Sequence, residues 1–137
     1  MKIFLGNAFS LQMLDLSSGN TLVIRPVTEE EAKEVAKLAT SCVGHADTAA
    51  VMSSQLGFDV LCQRTNVALA EEDQLLVGQF SGGRLPEGAT TLPEGTKLSW
   101  ILVTVVPKQV MQDYDNLAAC SGASLVKYNE YFAKVRQ

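Results

Sequence analysis

The run Trp100-Ile101-Leu102-Val103-Thr104-Val105-Val106 decides the fold class of this chain. It is rich in β-branched residues and stops at Pro107, which is typical of a strand buried in a sheet. Similar apolar runs occur earlier in the sequence, at residues 75–80, 22–27 and 3–6. These runs predict a sheet whose strands are spread over most of the chain.

A hairpin is predicted in the middle of the sequence. Val67-Ala68-Leu69 and residues 75–80 both resemble strands, and the acidic Glu71-Glu72-Asp73 lies between them as a turn. The glycines and prolines of residues 81–95 exclude regular structure, so a long loop is predicted there.

Helices are predicted between the strands. Thr28 precedes three glutamates, a pattern that caps a helix start, and apolar residues recur at helical spacing from there to about Ser41. A second helix is predicted from Asp47 or Thr48 to Leu56, where Gly57 is a suitable left-handed terminator.

Together these elements predict an α/β (α+β) fold with a mixed β-sheet of about five strands flanked by helices. Residues 1–106 are expected to form this domain, and residues 107–137 a helical C-terminal extension packed on it, with helices at residues 109–119 and 125–135. The 137 residues, 47% of them hydrophobic, suffice for one domain with a core but not for two comfortable ones.

Charge and cysteine usage limit the partners and the compartment. A net charge of -4 leaves no basic field for duplex DNA or an anionic membrane, so any anion must be held locally. Gly6-Asn7 interrupts the apolar start before a signal-peptide core is reached, and no run is long enough to span a bilayer. Cys42, Cys62 and Cys120 have no short pairing, so they are expected to be buried free thiols of a cytoplasmic protein.

His45 is the only histidine of the chain and lies in Gly44-His45-Ala46-Asp47-Thr48, between the two predicted helices. An imidazole can donate or accept a proton near neutral pH, and the N–H groups of a helix start bind anions. A catalytic role and a structural role are both open for a single histidine. It leaves too few ligands for an ordinary catalytic zinc site, and no metal is predicted.

Two further segments carry polar groups. Asn7-Ala8-Phe9-Ser10 follows the first predicted strand, a common location of ligands in α/β sheets, and the alternative is a turn held by Asx and hydroxyl bonds. Arg64 could meet a phosphate or lie on the surface.

The segment Ser81-Gly82-Gly83-Arg84-Leu85-Pro86-Glu87-Gly88 is more informative. Its adjacent glycines let backbone N–H groups approach an anion, and Arg84 offers a planar guanidinium to phosphate oxygens. Glu87 could orient an imidazole, as the acceptor does in a catalytic triad. The alternative is a solvated hairpin loop, and neither G-x-G-x-x-G nor a Walker pattern is present, so no cofactor is predicted.

In order, these segments resemble the viral ring nuclease family of anti-CRISPR proteins, which act against type III systems. The resemblance rests on Asn7-Ala8-Phe9-Ser10, Gly44-His45-x-Asp-Thr before a helix, Arg64, and Gln79 followed by Gly-Arg-Leu-Pro-Glu-Gly, over about the first 106 residues. That family was first known as archaeal-virus proteins of unknown function and also occurs in phages, plasmids and bacterial genomes.

The resemblance implies a small α/β protein of the cytoplasm, or of the host cytoplasm if viral. It implies a two-fold homodimer that binds cyclic tetra-adenylate across its interface and cleaves it without metal. A ribose 2′-hydroxyl attacks the adjacent phosphorus, giving linear di-adenylate with a 2′,3′-cyclic phosphate and switching off type III CRISPR signalling. By this resemblance His45 is the general acid and Glu87 its partner. The residues implied to hold phosphates and riboses are Arg84, Arg64, Asn7, Ser10 and Gln79.

Asp47 departs from the pattern of the family, in which a hydroxyl expected to face phosphate takes its place. Asp47 and Thr48 are both assigned to the ligand-binding residues. A carboxylate at Asp47 would repel the phosphates unless it turns inward as a helix cap, which is the role expected for it. Two alternative functions stay open. One is a module that sequesters a cyclic oligonucleotide without cutting it, and the other is a protein-interaction domain that docks through the tail from Gln109.

Overall fold

The computed structural model describes residues 1–107, so the predicted helices at residues 109–119 and 125–135, Cys120 and the predicted docking tail lie outside the described residues. Residues 1–107 form five strands and two helices. In chain order these are β1 (Ile3–Gly6), β2 (Leu22–Val27), α1 (Glu29–Lys37), β3 (Thr40–Ser41), α2 (Ala46–Leu56), β4 (Gln74–Ser81) and β5 (Lys97–Val105), with a 3₁₀ turn at Leu11–Met13.

The strands form one mixed sheet in the order β2-β5-β4-β1-β3. β1 runs parallel to both β3 and β4, whereas β5 is antiparallel to β2 and β4. The predicted α+β fold, a single domain with a mixed sheet of about five strands, is confirmed. Because β1, β3 and β4 are parallel, they end on the same side of the sheet, which we call the carboxyl edge.

Both faces of the sheet are covered by apolar side chains, because successive residues of a strand point to opposite faces. On one face, buried strand residues pack against the two helices. The participants are Leu5, Leu76, Trp100 and Leu102 of the sheet, Ala32 and Ala36 of α1, and Ala49, Met52 and Leu56 of α2. The other face buries Leu75, Val77, Val103 and Val105 with Leu69, and the half-buried Phe9, Met13 and Leu14 pack against them.

The helix ends follow local chemistry. The side chain of Thr28 accepts the N–H of Glu31 at 3.1 Å, which caps α1 as predicted. Gly57 ends α2 in the left-handed conformation with φ 81°, also as predicted. α2 begins at Ala46, one or two residues before the predicted start, and His45 is its N-cap residue.

α1 ends at Lys37, so the predicted extension of this helix to about Ser41 is wrong. Thr40 and Ser41 form β3 instead and pair with Phe4 and Leu5 of β1. The N–H of Cys42 continues the pairing by donating to the Leu5 carbonyl at 2.8 Å. The backbone hydrogen bonds of residues 40–42 are thus made with β1, which is distant in sequence. The spacing of apolar residues does not reveal such a pairing.

The predicted hairpin between residues 67–69 and 75–80 is also wrong. Leu69 forms an isolated bridge with Leu14, while β4 pairs with β1 and β5. The buried carboxylate of Asp73 explains this path, since it accepts the N–H groups of Ala70 at 2.9 Å and Lys2 at 2.8 Å. The acidic turn therefore directs the chain to β1 rather than back along itself.

The two described cysteines differ in exposure. Both are free thiols, but Cys62 is exposed, so the expectation that it is buried is wrong. Cys42 is half-buried and its Sγ donates to the Leu5 carbonyl at 3.1 Å. Burial raises the pKa of the Cys42 thiol. In residues 1–107 no helix has the length and apolar content needed to cross a membrane.

Candidate functional site

Three polar segments begin at the carboxyl edge because each follows one of the parallel strands. Asn7 follows β1, the segment leading to His45 follows β3, and the loop of residues 82–96 follows β4. Side chains widely separated in sequence are thereby collected at the edge where α/β sheets commonly bind ligands.

A small cleft contains His45 and Arg84, and we call it the His45 cleft. Its volume is about 250 Å³ and it is lined by His45, Asp47, Thr48, Phe80, Gly83, Arg84 and Leu85. The structure thus brings together four of the residues singled out in the sequence. Phe80 and Leu85 were missed, because an aromatic residue at a strand end and a leucine in a loop give no chemical signal.

The His45 cleft presents its polar groups to solvent. His45 and Arg84 are exposed, whereas Thr48 is buried behind them. The imidazole makes no capping hydrogen bond to α2. Ion pairs within residues 1–107 join Arg25 to Glu31 and Lys37 to Glu34, so the guanidinium of Arg84 is not neutralised by a described carboxylate. An anion could meet both groups.

Asp47 connects the His45 cleft to the loop. It lies half-buried in the first turn of α2, and its Oδ2 accepts the N–H of Gly88 at 3.0 Å. The expectation that Asp47 caps α2 is therefore wrong, because its carboxylate faces the loop rather than the free N–H groups of its own helix. Composition alone does not reveal this contact, since Gly88 is 41 residues away in sequence.

Arg64 lies over the segment that precedes His45, because residues 62–63 pair with that segment. The N–H of Gln63 donates to the Val43 carbonyl at 2.8 Å. A Cβ on Gly44 would lie 3.3 Å from both Cγ and Nε of Arg64, so the arginine side chain lies directly over the Gly44 backbone. Arg64 is exposed and lies over the residue that precedes His45, but it does not line the His45 cleft.

Asn7 and Gln79 lie elsewhere. They line a separate cleft of about 320 Å³ with Val77, Ile101 and Val103, on the face of the sheet opposite the helices. Ser10 caps the 3₁₀ turn, its hydroxyl accepting the N–H of Gln12 at 3.3 Å, which is the local role left open for it. These residues do not join His45 within one chain.

Glu87 is exposed in the loop and does not line the His45 cleft. Within residues 1–107 it forms no ion pair with His45. The structure therefore does not place the Glu87 carboxylate in the cleft with the imidazole. Glu87 as the partner of His45 stays a prediction from the resemblance.

The loop is closed at its base. Gly82 and Gly95 approach so closely that a Cβ on Gly82 would collide with the Gly95 carbonyl. Both glycines have positive φ values, 93° and 83°. We call this contact the neck of loop 82–96.

A larger cavity, of about 720 Å³, lies at the opposite side of the sheet, where β4 begins. Its lining includes Met13, Leu14, Leu69, Val105 and Val106, and none of the candidate site residues. Size alone therefore does not locate the site, because the chemically equipped cleft is the smaller one.

The fold and the cleft define a small α+β protein with a five-stranded mixed sheet and a polar cleft at its carboxyl edge. A family model described as STIV B116-like matches residues 3–97, and the chain therefore belongs to this family.

Among solved structures, B116 of Sulfolobus turreted icosahedral virus (STIV) resembles the chain with a TM-score of 0.62 and 26% identity. The match covers 75% of this chain and 98% of that chain. A comparison with curated proteins gives no match. The expected link to small archaeal-virus proteins is thus confirmed at the level of the family.

Proposed function

We propose that this chain is a metal-independent ring nuclease of the cytoplasm that binds cyclic tetra-adenylate and cleaves it to linear di-adenylate with a 2′,3′-cyclic phosphate. It would thereby switch off type III CRISPR signalling. The observation that carries the proposal is the His45 cleft, in which the only histidine lies with Arg84 and Thr48. The resemblance of the ordered motifs to viral ring nucleases, and membership of a family named for a viral protein, support it.

The chemistry asks little of the protein, because the substrate carries its own nucleophile. The ribose 2′-oxygen attacks the adjacent phosphorus and loses its proton to water, while the bond from phosphorus to the 5′-oxygen breaks. His45 donates a proton to the departing 5′-oxygen, and Arg84 stabilises the charge on the phosphoryl oxygens. Alignment of the 2′-oxygen with the leaving group supplies much of the remaining acceleration.

The size of the cleft favours a second copy of the chain. Pockets that enclose small ligands usually measure about 300–1,000 Å³. The His45 cleft, at about 250 Å³, matches a part of a cyclic tetranucleotide rather than the whole ring. A two-fold homodimer would place two such clefts against a ring of matching symmetry. The two His45 residues, one from each chain, would then make one cut each. Arg64 and Arg84 of both chains would then hold phosphates locally in an otherwise acidic protein.

The deciding experiment is incubation of the purified chain with cyclic tetra-adenylate in excess EDTA. We expect linear di-adenylate with a 2′,3′-cyclic phosphate, identified by mass spectrometry, and loss of that product in His45→Ala. If cyclic tetra-adenylate stays intact after prolonged incubation with equimolar protein, the proposal is wrong. Cleavage that stops in EDTA would contradict its metal independence.

The second candidate is a module that sequesters the ring without cutting it. The position of Glu87 favours this alternative, since its carboxylate does not lie in the cleft with the His45 imidazole. Binding and the biological effect would then both persist in His45→Ala. If the chain is a nuclease, His45→Ala should still bind the ring. It should no longer switch off type III CRISPR signalling when there is less protein than ring, because it cannot turn the ring over.

A further inference from the structure

We propose that the Asp47 carboxylate is a clasp that holds loop 82–96 across the His45 cleft, which makes Asp47 the positioning residue for Arg84. The contribution of Arg84 to ligand binding rests on the function proposed above. The clasp itself does not depend on that function, because it is a contact between two parts of this chain.

The loop has few other attachments. Within residues 1–107, its backbone makes two local turn bonds of 3.1 Å, neither of which reaches another element. The bond from Gly88 to Asp47 is the described hydrogen bond that connects the middle of the loop to a helix. Removing it would leave the close contact of Gly82 and Gly95 at the neck as the remaining anchor described here for the loop.

The clasp fixes the segment that carries Arg84 at both ends. Gly82 anchors one end at the neck, and Gly88 anchors the other on α2. Gly88 has φ 78°, a conformation that glycine adopts without strain and that aims its N–H at the carboxylate. Arg84 lies between these two points, so its guanidinium meets the His45 cleft without the loop having to order on binding.

A second role for the same carboxylate has to be separated from the clasp. A negative charge in the first turn of a helix is favourable by itself, because the helix N-terminus carries partial positive charge. Asp47→Asn removes that charge and keeps an oxygen that can accept the Gly88 N–H. Asp47→Ala removes both. Asp59→Ala, at an exposed position outside the cleft, is the matched control for loss of one negative charge.

The test is the hydrogen exchange rate of the Gly88 amide in the full-length protein without nucleotide, followed by NMR. We expect about tenfold faster exchange in Asp47→Ala, as loss of a hydrogen bond to a charged acceptor implies. Asp47→Asn is expected to retain most of the protection, and Asp59→Ala all of it. Trypsin is expected to cleave after Arg84 faster in Asp47→Ala than in the other proteins.

Unchanged exchange of the Gly88 amide in Asp47→Ala would overturn the clasp. Equal acceleration in Asp47→Ala and Asp47→Asn, with equally lowered melting temperatures, would also overturn it, because the effect would then come from the charge at the helix start. A second arm measures the affinity for cyclic tetra-adenylate, which we expect to weaken several-fold in Asp47→Ala and to be largely restored in Asp47→Asn. A wild-type protein that fails to bind the ring contradicts the proposed function, and the exchange rates still decide the clasp.

Discussion

Arg84 is the residue on which the proposed recognition of phosphate depends most. It is exposed, lies in the His45 cleft, and has no ion-pair partner within residues 1–107. Loss of a charge-assisted hydrogen bond costs about 1.5–3 kcal/mol, so Arg84→Ala should weaken binding of cyclic tetra-adenylate by roughly tenfold or more. The affinity is measured by calorimetric titration, with Arg84→Ala introduced into the His45→Ala protein so that the ring is not turned over.

Arg25→Ala is the matched control, because Arg25 lies on β2 and pairs with Glu31 at 3.2 Å, outside the cleft. It should leave the affinity unchanged, since a solvent-exposed ion pair contributes only about 0–1 kcal/mol to stability and none to this site. Similar losses of affinity in the two variants would argue that Arg84 acts only through overall charge.

The two described thiols should react at different rates. Burial raises the pKa of the Cys42 thiol, so a smaller fraction is thiolate at any given pH, and access is also restricted. We expect iodoacetamide at pH 8 to alkylate the exposed Cys62 first, with the sites assigned by peptide mass spectrometry. Faster modification of Cys42 would contradict the burial.

The raised pKa of Cys42 also makes the stability of the folded protein depend on pH. A group whose pKa is higher in the folded protein stabilises it fully below the unfolded value of 9.0, and this contribution is lost as the pH rises through the folded value. The free energy of unfolding of Cys42→Ser should therefore fall less at alkaline pH than that of the wild-type protein.

At the scale of elements, Gly78 sets how closely α2 approaches the sheet. A Cβ at this position would lie 2.7 Å from Cε of Met52 and 2.8 Å from Cζ3 of Trp100. Overpacking of a core commonly costs about 1–3 kcal/mol, so Gly78→Ala should lower the free energy of unfolding by that amount. Urea denaturation followed by circular dichroism measures it.

Gly19→Ala provides the comparison for Gly78→Ala, because nothing lies within 4 Å of a Cβ at that position. We expect the free energy of unfolding to be unchanged or raised by up to about 1 kcal/mol, through the smaller entropy of the unfolded chain. If the two variants were equally stable, the close approach of α2 at Gly78 would not be needed.

The elements differ in how well the sequence predicts them. Strands β1, β2, β4 and β5 and the end of α2 follow from local apolar runs and from Gly57, because those signals lie within the elements themselves. β3 could not be predicted, since two residues become a strand only through pairing with β1. The hairpin prediction failed because Asp73 bonds to Lys2, a contact between distant residues.

The site follows the same rule. His45 and Arg84 were assigned to one site only through the resemblance of the ordered motifs, because β3, the strand that leads to His45, could not be predicted. The Asp47–Gly88 bond and the separate location of Asn7 and Gln79 depend on loop path and on the face of the sheet. Neither property is encoded in residue type or local spacing.

For the whole molecule, residues 1–107 contain a five-stranded sheet with buried apolar side chains on both faces. The viral B116 chain aligns over 98% of its length with 75% of this chain, so that protein folds without a counterpart of the remaining quarter. We expect a chain ending after Pro107 to unfold cooperatively and to keep the dispersed NMR signals of the His45 cleft. Absence of a cooperative thermal transition would show that the domain needs residues 108–137.

The neck of loop 82–96 affects how the length of this loop can change during evolution. Because Gly82 and Gly95 meet at one point, residues between them can be inserted or deleted without shifting the register of β4 and β5. Doubling the length of a flexible loop costs only about 0.6 kcal/mol of closure entropy. Mutation can therefore change the length and reach of the segment over the cleft while the scaffold stays constant, which leaves ligand preference free to evolve separately from folding.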